Sequence, residues 1–296
     1  MNLATIPFAE TAPAKINLAL HVTGRRDDGY HLLESLAVFT RFGDRLQAVL
    51  AEEDALEVSG RYACDVPLDD SNLILRARDA LREAAGAGKA SPVAISLEKN
   101  LPVASGIGGG SSDAAATLRL LTRAWGLDIG RAELARIGLM LGADVPMCLA
   151  AQPLLARGIG EDVAALPAFP SLGLVLVNPG VAVPTPDVFA ALRKRDNEPL
   201  PPLPGRFDFH GMRNWLEITR NDLEGAAREI QPAVDAALQA LKKADAGFSR
   251  MSGSGATCFG LFETGNVAKR AAAAIRARHP DWFVAATRST PSEARP

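Results

Sequence analysis

The chain has 296 residues, 48% of them hydrophobic, which exceeds one domain of the usual ~100 to 200 residues and supports a substantial core, so two lobes are expected. Lys+Arg at 32 against Asp+Glu at 34 gives a net charge of -2, spread without long like-charge blocks, which offers no footprint for nucleic acid or an anionic membrane and leaves a small molecule as the expected partner. The opening MNLATIPFAE has neither a basic region nor an apolar run, and the longest later run, LGLVLV at 172–177, is too short to cross a bilayer, so a cytoplasmic protein is expected.

In chain order, INLALHVT at 16–23 has strand-like content, and LLESLAVFT at 32–40 follows as a second strand after the polar turn RRDDG, where Arg25 and Arg26 read as turn or surface residues. SNLILRARDALREA starts with a cap-competent Ser71 and spaces Leu73, Ala77 and Leu81 helically, while VAISLEKNLP at 93–102 alternates like a strand. PVASGIGGGSSD comes next, and beyond it Ala114, Leu118, Leu121 and Trp125 form one helical stripe that ends before Gly126. RAELARIGLMLG predicts another helix, ending in glycine and releasing the chain into ADVP, where Pro146 disfavours continuation and leaves Asp144 in a turn. A composition change over ALPAFPSLG, then the strand-like LGLVLVNPG, marks a boundary at 165–171 and divides the chain into residues 1–168 and 169–296. EPLPPLPGRF is expected to be an exposed loop and STPSEARP a frayed tail. Cys64, Cys148 and Cys258 are widely separated with no C-x-x-C spacing, and are expected as small buried apolar residues rather than a disulfide framework or zinc site. Short strands mixed with helices give an α+β pattern, and no motif encodes an oligomeric state.

Glycine lets the backbone bend through positive φ and approach a ligand with no side chain in the way. Successive N–H groups ahead of a helix then form a site for phosphate oxygens, a role open to Gly106, Gly108, Gly109 and Gly110, with Ser111 and Ser112 able to cap the helix or to donate to phosphate and a bound Mg2+. The loop is not Walker A, which ends in G-K-[ST], nor a Rossmann fingerprint, and by itself it reads equally as a tight strand-to-helix connection. Two segments accompany it: PAKINLAL sets the lone Lys15 beside a strand with Asn17 on the same face, and MSGSGATCFG at 251–260 is a second glycine-serine loop ahead of a strand. Taken alone, Asp144 is also a plausible turn residue and Lys15 a solvated strand-end lysine.

In this order the three segments resemble the GHMP kinase superfamily over most of the chain, and GRRDDGYHLLESL, PVASGIGGGSSDAAA and LGADVPMCL resemble its 4-diphosphocytidyl-2-C-methyl-D-erythritol kinase family. The resemblance implies a two-domain α+β GHMP kinase fold, with a ribosomal-protein-S5-like N-terminal domain and an α/β C-terminal domain. It implies ATP-dependent phosphorylation of the 2-hydroxyl of 4-(cytidine 5'-diphospho)-2-C-methyl-D-erythritol in the non-mevalonate isoprenoid route, with ATP and Mg2+ as cofactors. Pro102, Ser105, Gly106, Gly108, Gly109, Gly110, Ser111 and Ser112 would then hold ATP, and Gly253 and Gly255, with Ser252, Ser254 and Thr257, would support substrate phosphates. Asp144 would accept the hydroxyl proton while Lys15 holds the aspartate ionised and stabilises charge on the attacking oxygen, and Asn17 would position that hydroxyl. Tyr30 and His31 would supply a ring and a hydrogen-bonding group to cytosine, Phe189 a second ring from the other domain, and Thr185 would lie beside methylerythritol or the base. Ser105 departs from the glycine common in relatives and adds a Cβ to the first half of the loop. The rivals are another GHMP small-molecule kinase and a catalytically silent relative that only binds nucleotide or sugar. Retention of both Lys15 and Asp144 speaks against the second.

Overall fold

Alternation carries further than the motifs suggest: β1 (Phe8–Arg25) and β2 (His31–Leu50) run for 18 and 20 residues, and β1 is buried without interruption from Ala12 to Val22. The strand is covered on both faces, so one face carries Ile16, Leu18, Leu20 and Val22 and the other buries the polar Lys15, Asn17 and His21. The computed structural model describes residues 7–205 and 207–292, which form two compact units, each assembled from separated stretches of chain.

The first unit holds the chain up to Ala14, Gly43–Val103 and Gly108–Ala150. Here the second half of β2 pairs antiparallel with β4 (Val93–Glu98), which pairs in parallel with β3 (Ala55–Ser59). Helices α1 (Leu73–Ala85), α2 (Gly109–Ala124), α3 (Arg131–Leu141) and α4 (Val145–Ala150) pack on one another, with Ala114, Leu118 and Leu121 buried as the stripe predicts. The cap of α1 is Asn72, whose Oδ1 accepts the Ile74 N–H at 2.8 Å, whereas Ser71 is held by Asp69. Pro146 does not end helical order; it occupies the first turn of α4, where a missing N–H costs nothing.

The second unit holds Lys15–Phe42, Ala104–Ile107 and the chain from Ala151 onward, so the expected boundary at 165–171 falls inside it. The first half of β2 pairs with β5 (Leu154–Arg157) and β5 with β6 (Asp162–Ala165). A second, antiparallel sheet runs β10 (Phe283–Arg288), β7 (Gly173–Asn178), β9 (Cys258–Phe262), β8 (Phe248–Met251). Helices α8 (Ala233–Lys243) and α9 (Gly265–Arg278) cover β7, whose six residues are all buried, and α5 (Thr185–Ala190), α6 (Phe209–Glu217) and α7 (Glu224–Ile230) complete the unit.

Three further expectations change. The proline-rich stretch is half-buried rather than free: Glu34 accepts the Leu200 N–H at 2.9 Å and pairs with Arg157 at 3.0 Å, and Leu200–Leu203 close a cavity of about 150 Å³ over β5. The tail is ordered as far as Ser292, because Ser289 exchanges two hydrogen bonds with Leu172 and Thr290 donates to the Phe39 carbonyl; residues 293–296 lie outside the described part. Cys148 and Cys258 are buried as expected, but Cys64 is exposed.

Arg250 on β8 joins strand to strand within the second unit. Its buried guanidinium donates to the carbonyls of Leu18, Leu216 and Thr219 and to the Thr219 hydroxyl at 2.7–3.1 Å. Burial lowers its pKa to about 10, which still leaves it charged at neutral pH. Replacing it with Met strands those carbonyls, each at roughly 1–3 kcal/mol. Urea unfolding of Arg250→Met is therefore expected to show a loss of several kcal/mol, a larger effect than that of a surface arginine.

Candidate functional site

In the first unit the alternation of β4 buries Val93, Ile95 and Leu97 and continues to Lys99, which therefore points inward. Its ammonium, 2% exposed, sits between Asp44 Oδ2 at 2.7 Å and Asp113 Oδ2 at 2.5 Å. The other Asp44 oxygen accepts the N–H groups of Asn100 and Leu101 at 2.6 and 2.8 Å, which fixes the chain immediately before the buried Pro102. Asp113 belongs to α2, so one cation ties the strand before the glycine loop to the helix after it.

That helix starts at Gly109, with Gly108 as its cap at φ 64 and ψ 27 and no side-chain cap. Ser112 makes the first intrahelical bond, to the Gly108 carbonyl, leaving the N–H groups of Gly109, Gly110 and Ser111 without helical partners at the positive end of α2. This is the geometry a phosphate requires. The serines do not divide the work as expected: Ser112 is fully buried and donates its hydroxyl to the Pro13 carbonyl at 2.7 Å, whereas Ser111 is half-buried. Asp144 also belongs to this unit, in the turn between Gly142 and α4, and its carbonyl accepts the Cys148 N–H.

The middle of the same loop, Ser105–Ile107, belongs to the second unit, where it is clamped by the second glycine-serine loop. The Thr257 N–H donates to the Ser105 carbonyl, the Ser252 hydroxyl to the Gly106 carbonyl, and the Lys15 N–H to the Ile107 carbonyl. Gly106 has φ +75, and a Cβ on it would fall 2.5 Å from the Ser252 oxygen and 2.7 Å from the Gly255 nitrogen, so only glycine fits. Ser105, buried, avoids positive φ; Ala104 takes it instead, at φ 49, and the extra Cβ is accommodated.

Lys15 is no solvated strand-end lysine: it and Asn17 are 4% and 2% exposed within β1. The Asn17 N–H donates to the Ser252 hydroxyl and its Nδ2 to Ser35, while its buried Oδ1 has no hydrogen-bond partner among the described residues. Thr185 and Ser254 share a hydroxyl hydrogen bond at 2.7 Å, Asn178 donates to the Thr257 hydroxyl, and Asn221 donates to the carbonyls of Met251 and Gly253. Asn17, Ser105, Gly106 and Thr185 thus bond to residues 252–257, and Lys15 is tied to the neighbouring Ile107. No spacing in the sequence marks Ser35, Asn178 or Asn221 as members of that network, because each arrives from a separate element.

At the β1–β2 turn the ring roles differ from the expectation. His31, not Tyr30, forms the aromatic pair, stacking on Phe189 with centroids 4.7 Å apart and an interplanar angle of 24°. Tyr30 precedes the strand and is 59% exposed. Both stacked rings lie in the second unit rather than coming from different lobes. Burial, reinforced by the guanidiniums of Arg195 and Arg25, lowers the His31 pKa and keeps the imidazole neutral at pH 7; its buried Nε2 has no hydrogen-bond partner among the described residues. Among the described residues no group of three His, Cys, Asp or Glu side chains is arranged to hold a metal ion, and no helix is long and apolar enough to cross a membrane.

Asp113 gives this site a pH signature. Burial raises its carboxyl, Lys99 opposes the rise and Asp44 adds to it, for a result of about 7. A carboxyl with a folded pKa above its unfolded value near 3.8 binds its proton in the native state first, so its contribution to stability is full below pH 4 and is lost as pH rises toward 7. Denaturant unfolding between pH 4 and 8 is expected to show the wild type losing stability across that window relative to Asp113→Asn.

Residues 72–152 match the model of the GHMP kinases N terminal domain and residues 205–281 that of the GHMP kinases C terminal. The chain is 72% identical over 283 residues to a 4-diphosphocytidyl-2-C-methyl-D-erythritol kinase of Mesorhizobium japonicum, covering 96% of each chain. A crystal structure of 4-(cytidine 5'-diphospho)-2C-methyl-D-erythritol kinase superposes with a TM-score of 0.80 at 35% identity, over 95% of this chain and 99% of that one. Homoserine kinase from Cytophaga hutchinsonii, at 18% identity and a TM-score of 0.71 over 99% and 98% of the two chains, shares the fold. The chain belongs to the GHMP kinases, and within them to the 4-diphosphocytidyl-2-C-methyl-D-erythritol kinase family.

Proposed function

We propose that the protein transfers the γ-phosphate of ATP to the 2-hydroxyl of 4-(cytidine 5'-diphospho)-2-C-methyl-D-erythritol, a step in non-mevalonate isoprenoid synthesis. The observation that carries this choice among kinases of the same fold is the His31–Phe189 stack with its partnerless buried Nε2, a built place for a planar, hydrogen-bonding base. Homoserine and mevalonate carry no planar ring to lie against such a pair.

The residues present fit a triphosphate, since the N–H groups of Gly109, Gly110 and Ser111 open at the positive end of α2 with no glycine Cβ in the way. Mg2+, which neutralises phosphate charge when bound, would be held mainly by phosphate and water, with the Ser111 hydroxyl as the nearest candidate from the loop. We assign the remaining loop residues, Pro102, Ser105, Gly106, Gly108 and Ser112, to shaping this phosphate site. Asp144 accepts the hydroxyl proton and Lys15 stabilises negative charge on the attacking oxygen. Asn17 has one buried oxygen to spare, which suits it to accept a hydrogen bond from a substrate hydroxyl. Thr185 lies beside the sugar chain and Tyr30 closes the outer side of the base. A division of the GHMP domains near residue 168, between the two matched stretches, and a cytoplasmic setting belong to the same proposal.

A coupled ADP-release assay with ATP, Mg2+ and the cytidine substrate tests the reading, run beside a panel of other hydroxyl acceptors. Turnover with homoserine or mevalonate and none with the cytidine substrate would overturn it. Asp144→Asn is expected to bind both substrates while losing ~10²–10⁴-fold in kcat, the usual share of a general base. His31→Ala is expected instead to raise KM for the cytidine substrate with KM for ATP unchanged. Equal losses of binding and turnover in both variants would refute these separate roles.

A further inference from the structure

The arginines near the β1–β2 turn and α5 fall into two groups. Arg26 pairs with Asp28, Arg157 with Glu34, Arg193 with Glu229 and Arg220 with Asp222. Arg25 and Arg195 do not follow the pattern: among the described residues neither has a carboxylate partner. Each is instead anchored to a backbone carbonyl. Arg25 Nε donates to the Gly29 oxygen at 3.2 Å, two residues before His31, and Arg195 Nη2 donates to the Ala190 oxygen at 3.2 Å, one residue after Phe189. Each guanidinium is thus held by a backbone carbonyl within two residues of one ring of the stack. Both lie near enough to His31 to lower its pKa electrostatically, and Arg195 Nε is buried with no hydrogen-bond partner.

Two guanidiniums with no carboxylate partner among the described residues, both close enough to His31 to act on it, offer positive charge to an anion bound beside the stack. The chemistry that satisfies them is a multiply charged anion joined to a heterocycle through one sugar, which describes a nucleoside diphosphate. A guanidinium suits this better than an ammonium because its fork can meet two phosphate oxygens at once. We propose that Arg25 and Arg195 are specificity-determining residues that bind the diphosphate of the cytidine nucleotide whose base lies against His31 and Phe189. The inference deepens the preceding functional reading and rests on it. It assigns ligand contacts to Arg25, which its position in a polar turn otherwise marks as a surface residue.

The test compares CDP with cytidine, which share the base and differ in the diphosphate, by isothermal titration on the full chain. Arg25→Gln and Arg195→Gln are each expected to weaken CDP binding by about tenfold or more, the worth of a charge-assisted hydrogen bond, with cytidine binding unchanged. Arg25→Lys and Arg195→Lys should recover part of the loss. The preference of the wild type for CDP over cytidine should shrink with added salt and nearly vanish in the double Gln variant. Equal weakening of CDP and cytidine would mean that the arginines only support the aromatic pair, and unchanged CDP affinity would mean that the diphosphate lies elsewhere; either overturns this inference and leaves the kinase reading standing. A wild type that binds neither ligand would overturn both.

Discussion

A lysine ammonium stripped of water is stable only where negative charge and hydrogen-bond acceptors replace its hydration, and Lys99 meets both needs with Asp44 and Asp113. The three side chains come from the middle of β2, the end of β4 and the first turns of α2, so their pairing sets where the glycine loop leaves the strand and where its helix begins. Asp44 extends the constraint by holding two successive backbone N–H groups ahead of Pro102. A loop whose free donors are backbone N–H groups has no side chains with which to correct its own geometry. Its precision must come from the elements on either side, and here it comes from one buried charge cluster.

The second glycine-serine loop serves a related end in the other unit. It receives the middle of the first glycine loop through hydrogen bonds from Ser252 and Thr257, and its contact is so close that Gly106 cannot carry a Cβ. The hydroxyls there are largely occupied by protein partners, with Ser254 bonded to Thr185 and Thr257 accepting from Asn178. Their work is therefore mainly to hold the backbone, whereas Asn17 Oδ1 and His31 Nε2 are among the buried polar atoms that have no hydrogen-bond partner among the described residues. Homoserine kinase shares the fold at low identity, and within this chain it is the β1–β2 turn and α5 that bring His31 to Phe189.

The sequence by itself determined the elements and the chemistry of the loop, because both are local properties. Alternation in β4, the helical stripe of α2 and the glycine pattern between them fix strand, loop and helix within a few residues of chain, and the three ordered motifs identify the kinase family. Lys99 was legible in principle: it continues the inward positions 93, 95 and 97, and a lysine on a buried face requires a carboxylate partner. Which carboxylates would answer was not legible, since Asp44 lies 55 positions away. The cap of α1 could have been read as either Ser71 or Asn72, a choice that only hydrogen-bond geometry settles.

Tertiary structure alone decided the rest, for the common reason that burial and pairing join residues distant in sequence. It made His31 rather than Tyr30 the stacking ring, since β2 begins at His31 and leaves Tyr30 in the exposed turn. It buried the proline-rich stretch against β5 and ordered the chain around Ser289, where hydrogen bonds to Glu34, Leu172 and Phe39 outweigh a composition that by itself reads as loop and tail. It also assigned stretches of β1, β2 and the phosphate loop to different compact units, a division invisible to composition because it follows long-range contacts and not chain order.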